Sequence, residues 1–425
     1  MTNYEDLLPY HSVFIDCTVS DIAKAAKACA FKPPMSRDEI LSKIESLVKS
    51  RNRLPMVNLS VRTGLDLYLS AKNYPSGSEV LMSAINIPNM VELVHHKGLK
   101  VVPIDIDPST ALPNFSLLPD LITERTKAIL VAHVFGKIVN MEEVLFYAKR
   151  YKLDVIEDCA ESFTSMSNWG HPACDISLFS FGTIKSSTAL GGAISLIKNE
   201  SIFKQMNSLQ NSLPVQPTSI FAKKLLKTVI CIATLNNVHL KKPLMYFFRK
   251  INFDYQKSIA GLLRGFPNDW IKGIRQRPCD ALLYMLYLRL SEWKEDGMLL
   301  TKKKGDYVVK RLRDVEFYGQ QSFHNHYWLY PVFLKNSDKI INDLAKMGVD
   351  AYKGVTQLNY VQGKEDLNQL LTCRQYLVRQ PMEAEHLIDN VLYLPVHKNV
   401  PFRELDRILR DLELVLKSQK LTSKL

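Results

Sequence analysis

The sequence predicts an α/β fold with a mainly parallel sheet, and three observations lead there. Between residues 57 and 197 six short apolar runs recur: EVLMSAI, KVVPIDI, KAILVAHVF, LDVIEDCA, ISLFSFG and GGAISLI. Stretches of helical periodicity, NMVELVHHKG and MEEVLFYAKRYK, lie between several of them. Strands that alternate with helices pair in parallel, because each crossover helix returns the chain to the same end of the sheet. Polar residues able to do chemistry also gather just past the apolar runs, where open α/β sheets bind their ligands.

The elements follow in order. Residues 1–54 form an N-terminal helical extension. In SRDEILSKIESLVKS a serine N-cap is followed three residues later by Glu39, and the apolar positions keep helical spacing. Residues 55–204 are the large α/β domain. Residues 205–270 break the alternation: FAKKLLKTVICIATLNNVHLKKPLMYFFRKINF mixes lysines with apolar residues. This insertion fits a basic amphipathic helix on a membrane surface through 219–250, an oligomer contact or a lid. Residues 271–425 hold an interface segment, a long helix over LRLSEWKEDGMLLTKKKGDYVVKRL and a small α+β domain. In that domain YWLYPVFL and VLYLPVH are strands, and SDKIINDLAKMG and PFRELDRILRDLELVLKS are helices. There is no internal repeat.

Bulk properties narrow the function. With 425 residues, 46% hydrophobic and 23% charged, the chain has the make-up of an ordinary globular protein with a sizeable core. Its net charge of +12 favours anionic partners: phosphates, nucleotides, nucleic acid or acidic lipid. No RNA-binding aromatic motif or zinc finger accompanies the charge, so nucleic acid is not expected. Seven scattered cysteines without CxxC spacing suggest reduced thiols, and MTNYEDLLPYHSVF lacks an apolar leader, so a cytoplasmic protein is expected. The N-x-S matches at Asn58, Asn114 and Asn199 are then chance. No apolar run reaches the ~18 residues of a membrane span.

Three features carry chemistry. VIEDCAES places Asp158 and Glu161 just past an apolar run; SFGTIK carries Ser180 and Lys185; and NLSVRTGLDLYL opens a helix through Ser60–Gly64. A helix start offers amides and a positive dipole end to a phosphate. Taken singly, a strand-end aspartate is commonly a cap, and a lysine is commonly a solvated surface residue. Together, in one order along one sheet, they match the needs of pyridoxal 5′-phosphate. A lysine amine condenses with the aldehyde, a carboxylate keeps the ring nitrogen protonated, and hydroxyls and amides hold the phosphate.

At these residues the chain resembles the DegT/DnrJ/StrS sugar aminotransferases, a fold-type I pyridoxal-phosphate family, over roughly residues 55–415. IEDCAES stands where that family has E-D-x-A-Q/E, SFGTIKSSTALGGAISL where it has S-F-x-x-x-K…G-G, and VLYLPVH where it has its late strand. The resemblance implies a large α/β/α domain with a smaller C-terminal domain. It makes Lys185 the Schiff-base lysine, Asp158 the partner of the ring nitrogen and Glu161 a neighbour of the ring hydroxyl. Ser180 and the turn at Arg62 and Thr63 would hold the phosphate, and Ile87 would take the place of the family's ring-stacking aromatic. IRQRPCDALL falls where the family reaches into a neighbouring subunit, which makes Arg275 or Gln276 a phosphate contact in a homodimer with shared sites. The resemblance further implies transfer of an amino group from an amino acid, glutamate, to a nucleotide-linked keto sugar. Its rivals are a different sugar chemistry on the same cofactor, and a non-catalytic, membrane-associated relative. The chain departs from the family at V-R-T, where G-T is usual, and in the 205–270 segment.

Other candidates carry less. His324 and His326 share one face of a strand, but no Cys or Asp cluster is near, and no metal is expected. His95 and His96 sit on a helix, and His133, at a strand end, is a supporting residue. Gly191-Gly192 lacks the context of a dinucleotide fingerprint.

Overall fold

A computed structural model describes residues 3–48, 52–254, 256–258, 261, 269–312, 319, 325–363 and 378–422. Seven strands make the central sheet: β1 (Leu54–Asn58), β2 (Glu79–Ser83), β3 (Lys100–Ile104), β4 (Thr126–Ala132), β5 (Asp154–Asp158), β6 (Ile176–Ser180) and β7 (Ala193–Ile197). Their spatial order is β1-β7-β6-β5-β4-β2-β3. The pairs from β6 through β3 are parallel, whereas β7 runs antiparallel to both β6 and β1. Core strands such as β2 and β7 are buried at every position, as a sheet covered by helices on both faces requires.

The helices on the sheet have local causes. In α3 (Val61–Lys72) the Ser60 hydroxyl caps the Thr63 amide, and Asn73 ends the helix in the left-handed conformation. Gly64 lets this helix press onto the strands, since a Cβ there would lie 2.5 Å from Ser195 Oγ. α4 (Pro88–His96) starts with proline in its first turn, and α5 (Glu142–Tyr151) sets acids at its start and bases at its end.

Ahead of the sheet, α1 (Val19–Phe31) opens on a Thr18–Asp21 capping box and α2 (Arg37–Leu47) on Ser36. Ion pairs Arg289–Asp21, at 2.8 Å, and Arg37–Asp280, at 2.7 Å, tie them to a later helix. After α6 (Glu200–Ser212) the insertion forms two helices, α7 (Thr218–Leu235) and α8 (Val238–Lys250). The α7 face carrying Phe221, Leu225 and Cys231 is buried in the same core as α1 and α2. The single long helix expected after residue 288 is instead two, α9 (Asp280–Ser291) and α10 (Asp296–Arg311). The break comes at Glu292–Glu295, where Trp293 packs on Phe163 with ring centroids 5.1 Å apart. Trp293 there is partly buried against the core that holds α1 and α2.

In the last third, β8 (Tyr330–Phe333) and β9 (Val391–Leu394) pair antiparallel, flanked by α11 (Ser337–Lys346), α12 (Met382–Asp389) and α13 (Phe402–Thr422). Leu344, Leu392, Leu405 and Leu412 meet in their core. No helix among the described residues is long and apolar enough to cross a membrane. The six described cysteines are free thiols.

Candidate active site

The carboxyl ends of β4, β5 and β6, the start of α3 and part of the insertion enclose a cavity of about 930 Å³. This is where a parallel sheet diverges into loops and leaves room for a ligand. Asp158, Glu161, Ser180, Lys185, Arg62, Ile87 and Gln276 all line it. Thr63 and Arg275 do not. The Thr63 hydroxyl donates to Ile274 O at 2.8 Å, and Arg275 forms a bidentate pair with Asp66 at 2.9 and 3.0 Å. Gln276 lines the cavity of the chain that carries it. His324 lies outside the described residues.

Lys185 is not in a strand. It sits in the hairpin between β6 and β7, its amide donating to Gly182 O at 3.0 Å. The hairpin closes on itself: the amides of Ala189 and Gly191 both donate to Phe181 O, each at 3.0 Å. Lys185 Nζ donates to Glu161 Oε1 at 3.1 Å and stands 4.0 Å from the centroid of the Trp328 ring. A carboxylate and an aromatic face are what a half-buried ammonium needs. Trp328 is itself fixed, its indole donating to Ile184 O at 3.1 Å.

Asp158 ends β5, and its carboxylate accepts the Ala160 amide at 3.0 Å. Burial pushes this carboxyl up to about 6, more than that amide and the Lys185 charge offset. One layer deeper the adjacent Glu157 behaves oppositely. Burial works against its ionisation, but hydrogen bonds from His133 and Ser177 and from the His171 amide bring it down to about 2. His133 Nδ1 accepts the Val139 amide at 3.1 Å, so the neutral ring carries its proton on Nε2, which faces Glu157 Oε1 at 3.1 Å. The His133 backbone amide donates to Asp158 O at 3.0 Å. His133, Glu157 and Cys159 bring their ligand atoms within 4.8 Å of one another. Glu157 is already saturated there, and burial holds the Cys159 thiol protonated, so the trio suits packing rather than a metal.

Several cavity residues were not legible beforehand. Trp328 arrives from far along the chain. Lys223, Lys224 and Lys227 come from α7 and His11 from the N-terminal segment. The lysines did give a signal, their close spacing on one helix, but it pointed equally to a membrane surface. Asn86 Nδ2 and Gln276 Oε1 also face this region, buried without a hydrogen-bond partner.

Residues 57–219 match the DegT/DnrJ/EryC1/StrS aminotransferase family. A UDP-4-amino-4-deoxy-L-arabinose–oxoglutarate aminotransferase of Shewanella sediminis is 31% identical over 153 residues, 35% of this chain and 39% of that protein. A GDP-perosamine synthase of Escherichia coli O157:H7 is 29% identical over 173 residues, 40% of this chain and 47% of that protein. The chain thus matches less than half the length of either relative. The fold extends further than the sequence similarity. The aminotransferase TlmJ of Streptoalloteichus hindustanus superposes with a TM-score of 0.66 over 96% of this chain and 99% of its own, at 13% identity. NtdA of Bacillus subtilis, solved with bound cofactor PMP, gives 0.61 over 94% and 83%, at 18% identity.

Proposed function

We propose that this protein, whose residues 57–219 match the DegT/DnrJ/EryC1/StrS aminotransferase family, is a pyridoxal-phosphate-dependent aminotransferase. It takes an amino group from an amino acid, glutamate, and delivers it to a nucleotide-linked keto sugar. The observation that carries this reading is the meeting of Lys185 and Asp158 in one cavity, from the ends of neighbouring strands.

The polar atoms of the cavity fit the cofactor. Asp158 is a carboxylate whose charge burial disfavours, which suits a protonated ring nitrogen beside it. Asn86 Nδ2 is a buried donor and Gln276 Oε1 a buried acceptor, both available to a ligand. Ser180, half-buried at the end of β6, faces the start of the Lys185 hairpin, and Gly182 N lies 3.4 Å from its hydroxyl. Lys185 would hold the aldehyde carbon, Asp158 the ring nitrogen, and Ser180 with Arg62 the phosphate, while Ile87 gives the ring an apolar wall.

Bound, the cofactor supplies an electron sink that stabilises negative charge on a substrate carbon. Everything else falls to the protein. Asp158 keeps the ring-nitrogen proton in place. Lys185 Nζ would carry a proton from the donor's α-carbon to the cofactor carbon that had been the aldehyde, and, with the acceptor, from that carbon to the acceptor carbon. Glu161, anchored by the Phe135 amide at 2.9 Å, keeps that amine aimed between turnovers. Trp328 covers it from the small-domain side and keeps bulk water off the exchanged proton.

The same reading includes a homodimer in a reducing, cytoplasmic compartment. Free thiols support the compartment, and exposed Ile220, Leu226, Ile230 and Phe247 on the insertion helices support an association surface.

Purified protein mixed with pyridoxal phosphate should be yellow, and adding glutamate should bleach that band as the amine form of the cofactor accumulates. A panel of nucleotide keto sugars would then restore the band. A protein that stays colourless with excess cofactor would refute the reading.

A further inference from the structure

The insertion does more than cover the cavity. Lys223, Lys224 and Lys227 of α7 line it together with Arg62 at the start of α3. Lys224 is the inward one: its Nζ lies 3.7 Å from the point a Cβ on Gly191 would occupy, over the hairpin that carries Lys185. Arg62 and Lys224 interact as like charges. Burial together with the guanidinium brings the Lys224 ammonium down to about 8, and burial brings Arg62 down to about 10. Asp158 favours the Arg62 charge, and Arg62 donates to Asn89 Oδ1 at 3.2 Å. Among the described residues no carboxylate forms an ion pair with Lys224. The other cavity carboxylates are committed, Glu161 to Lys185 and Asp350 to His11 and Gln256.

Two neighbouring cations on one wall, beside apolar Ile220, Phe221 and Leu282, form an unfavourable arrangement that an anion would relieve. The start of α3 sharpens the point. There the Thr63 amide is already bonded to Ser60 Oγ at 3.2 Å and the Gly64 amide to Ser60 O at 3.1 Å. At Thr63 and Gly64 the first turn of α3 thus has no amide left to offer, and the Arg62 side chain brings positive charge to the cavity wall there.

We propose that Arg62 and Lys224 form a phosphate-ester subsite in this cavity, with the insertion helix α7 supplying one of its two cations from the same chain. The proposal rests on the site binding phosphorylated ligands. Two sources share that chemistry: the cofactor's 5′-phosphate and the diphosphate of a nucleotide-linked sugar.

The test uses the full chain in phosphate-free buffer, as wild type, as K224M and as K272M, a surface lysine control. Calorimetry with inorganic pyrophosphate, UDP, pyridoxal phosphate and pyridoxal reads affinity, and thermal melting of the ligand-free proteins reads stability. K224M should weaken pyrophosphate roughly 10-fold to 100-fold, the weight of a charge-assisted hydrogen bond. K272M should match wild type. A loss for pyridoxal phosphate but not pyridoxal assigns the subsite to the cofactor, and a loss for UDP alone assigns it to the acceptor. Ligand-free K224M should melt no lower than wild type, because the removed charge has only repulsion to lose. Unchanged affinities in K224M, no phosphate binding by wild type, or a lower melting temperature for ligand-free K224M would each overturn the proposal. A wild type that binds pyrophosphate through Lys224 but never colours with pyridoxal phosphate would keep the subsite and discard the cofactor.

Discussion

Glu161 stands between Lys185 and the backbone. One carboxylate oxygen accepts Lys185 Nζ at 3.1 Å and the other accepts the Phe135 amide at 2.9 Å. The lysine is therefore aimed by a side chain that is itself aimed by the turn after β4. The cation is tolerated beside two buried strands because it lies on a hairpin at their end, paired, and faces a cavity.

Replacing Lys185 with alanine should abolish the transamination half-reaction while leaving the far-ultraviolet circular dichroism of the protein unchanged. Lys185 is on a loop, and Glu161 keeps its bond to Phe135. Borohydride treatment of wild type with its cofactor, followed by peptide mapping, should place the pyridoxyl label on Lys185. A label on another lysine would move the assignment.

Glu161→Gln keeps the size and one acceptor but removes the charge. The amine is then held by a neutral rather than a charge-assisted hydrogen bond, a difference of about tenfold. Turnover should fall by about that factor with little change in melting temperature. If Glu161→Gln turns over like wild type, Trp328 alone positions the lysine.

Asp158→Asn should bind cofactor yet lose nearly all activity, because an amide cannot hold the ring nitrogen protonated. It also has a signature without any ligand. Burial raises this carboxyl from 3.8 to about 6, so the folded state keeps a proton that the unfolded chain releases earlier. The stabilising effect of that proton is complete below pH 4 and is lost as pH climbs through 6, a change on the order of 3 kcal/mol. Between pH 4 and 6.5 the ligand-free wild type should therefore lose stability relative to Asp158→Asn, read as diverging denaturant midpoints. Parallel curves would mean the carboxyl is not perturbed.

The exposed apolar residues of α7 and α8 should bury against a second copy. Sedimentation should show a dimer that Leu226→Glu weakens. A monomer that pellets instead with anionic vesicles, and does so less at high salt, would identify this face as a membrane contact.

Asp158, Ser180 and Lys185 were legible in the sequence for a physical reason. Consecutive parallel strands deliver their last residues to one edge, so order along the chain becomes proximity in space. Trp328 and Lys224 reach the cavity only through tertiary packing, and neither strand nor helix periodicity encodes that. Periodicity also misjudged residues 288–312, because helical spacing runs on through Glu292–Glu295, where the chain leaves the helix and Trp293 packs on Phe163. The pairing of Arg275 with Asp66 of α3, far off in sequence, is likewise set by tertiary packing alone.

The antiparallel turn of β7 has one more consequence. Because β6 returns directly into β7, everything that aims Lys185 from its own side lies within residues 176–197, cross-bonded strand to strand from Ile176–Ile197 to Ser180–Ala193. Such a segment is a self-contained cassette. The hairpin fixes the backbone that carries Lys185, while its amine is fixed from outside, by Glu161 on one side and by Trp328 of the small domain on the other, so a shift of the small domain would reach the amine without disturbing the hairpin.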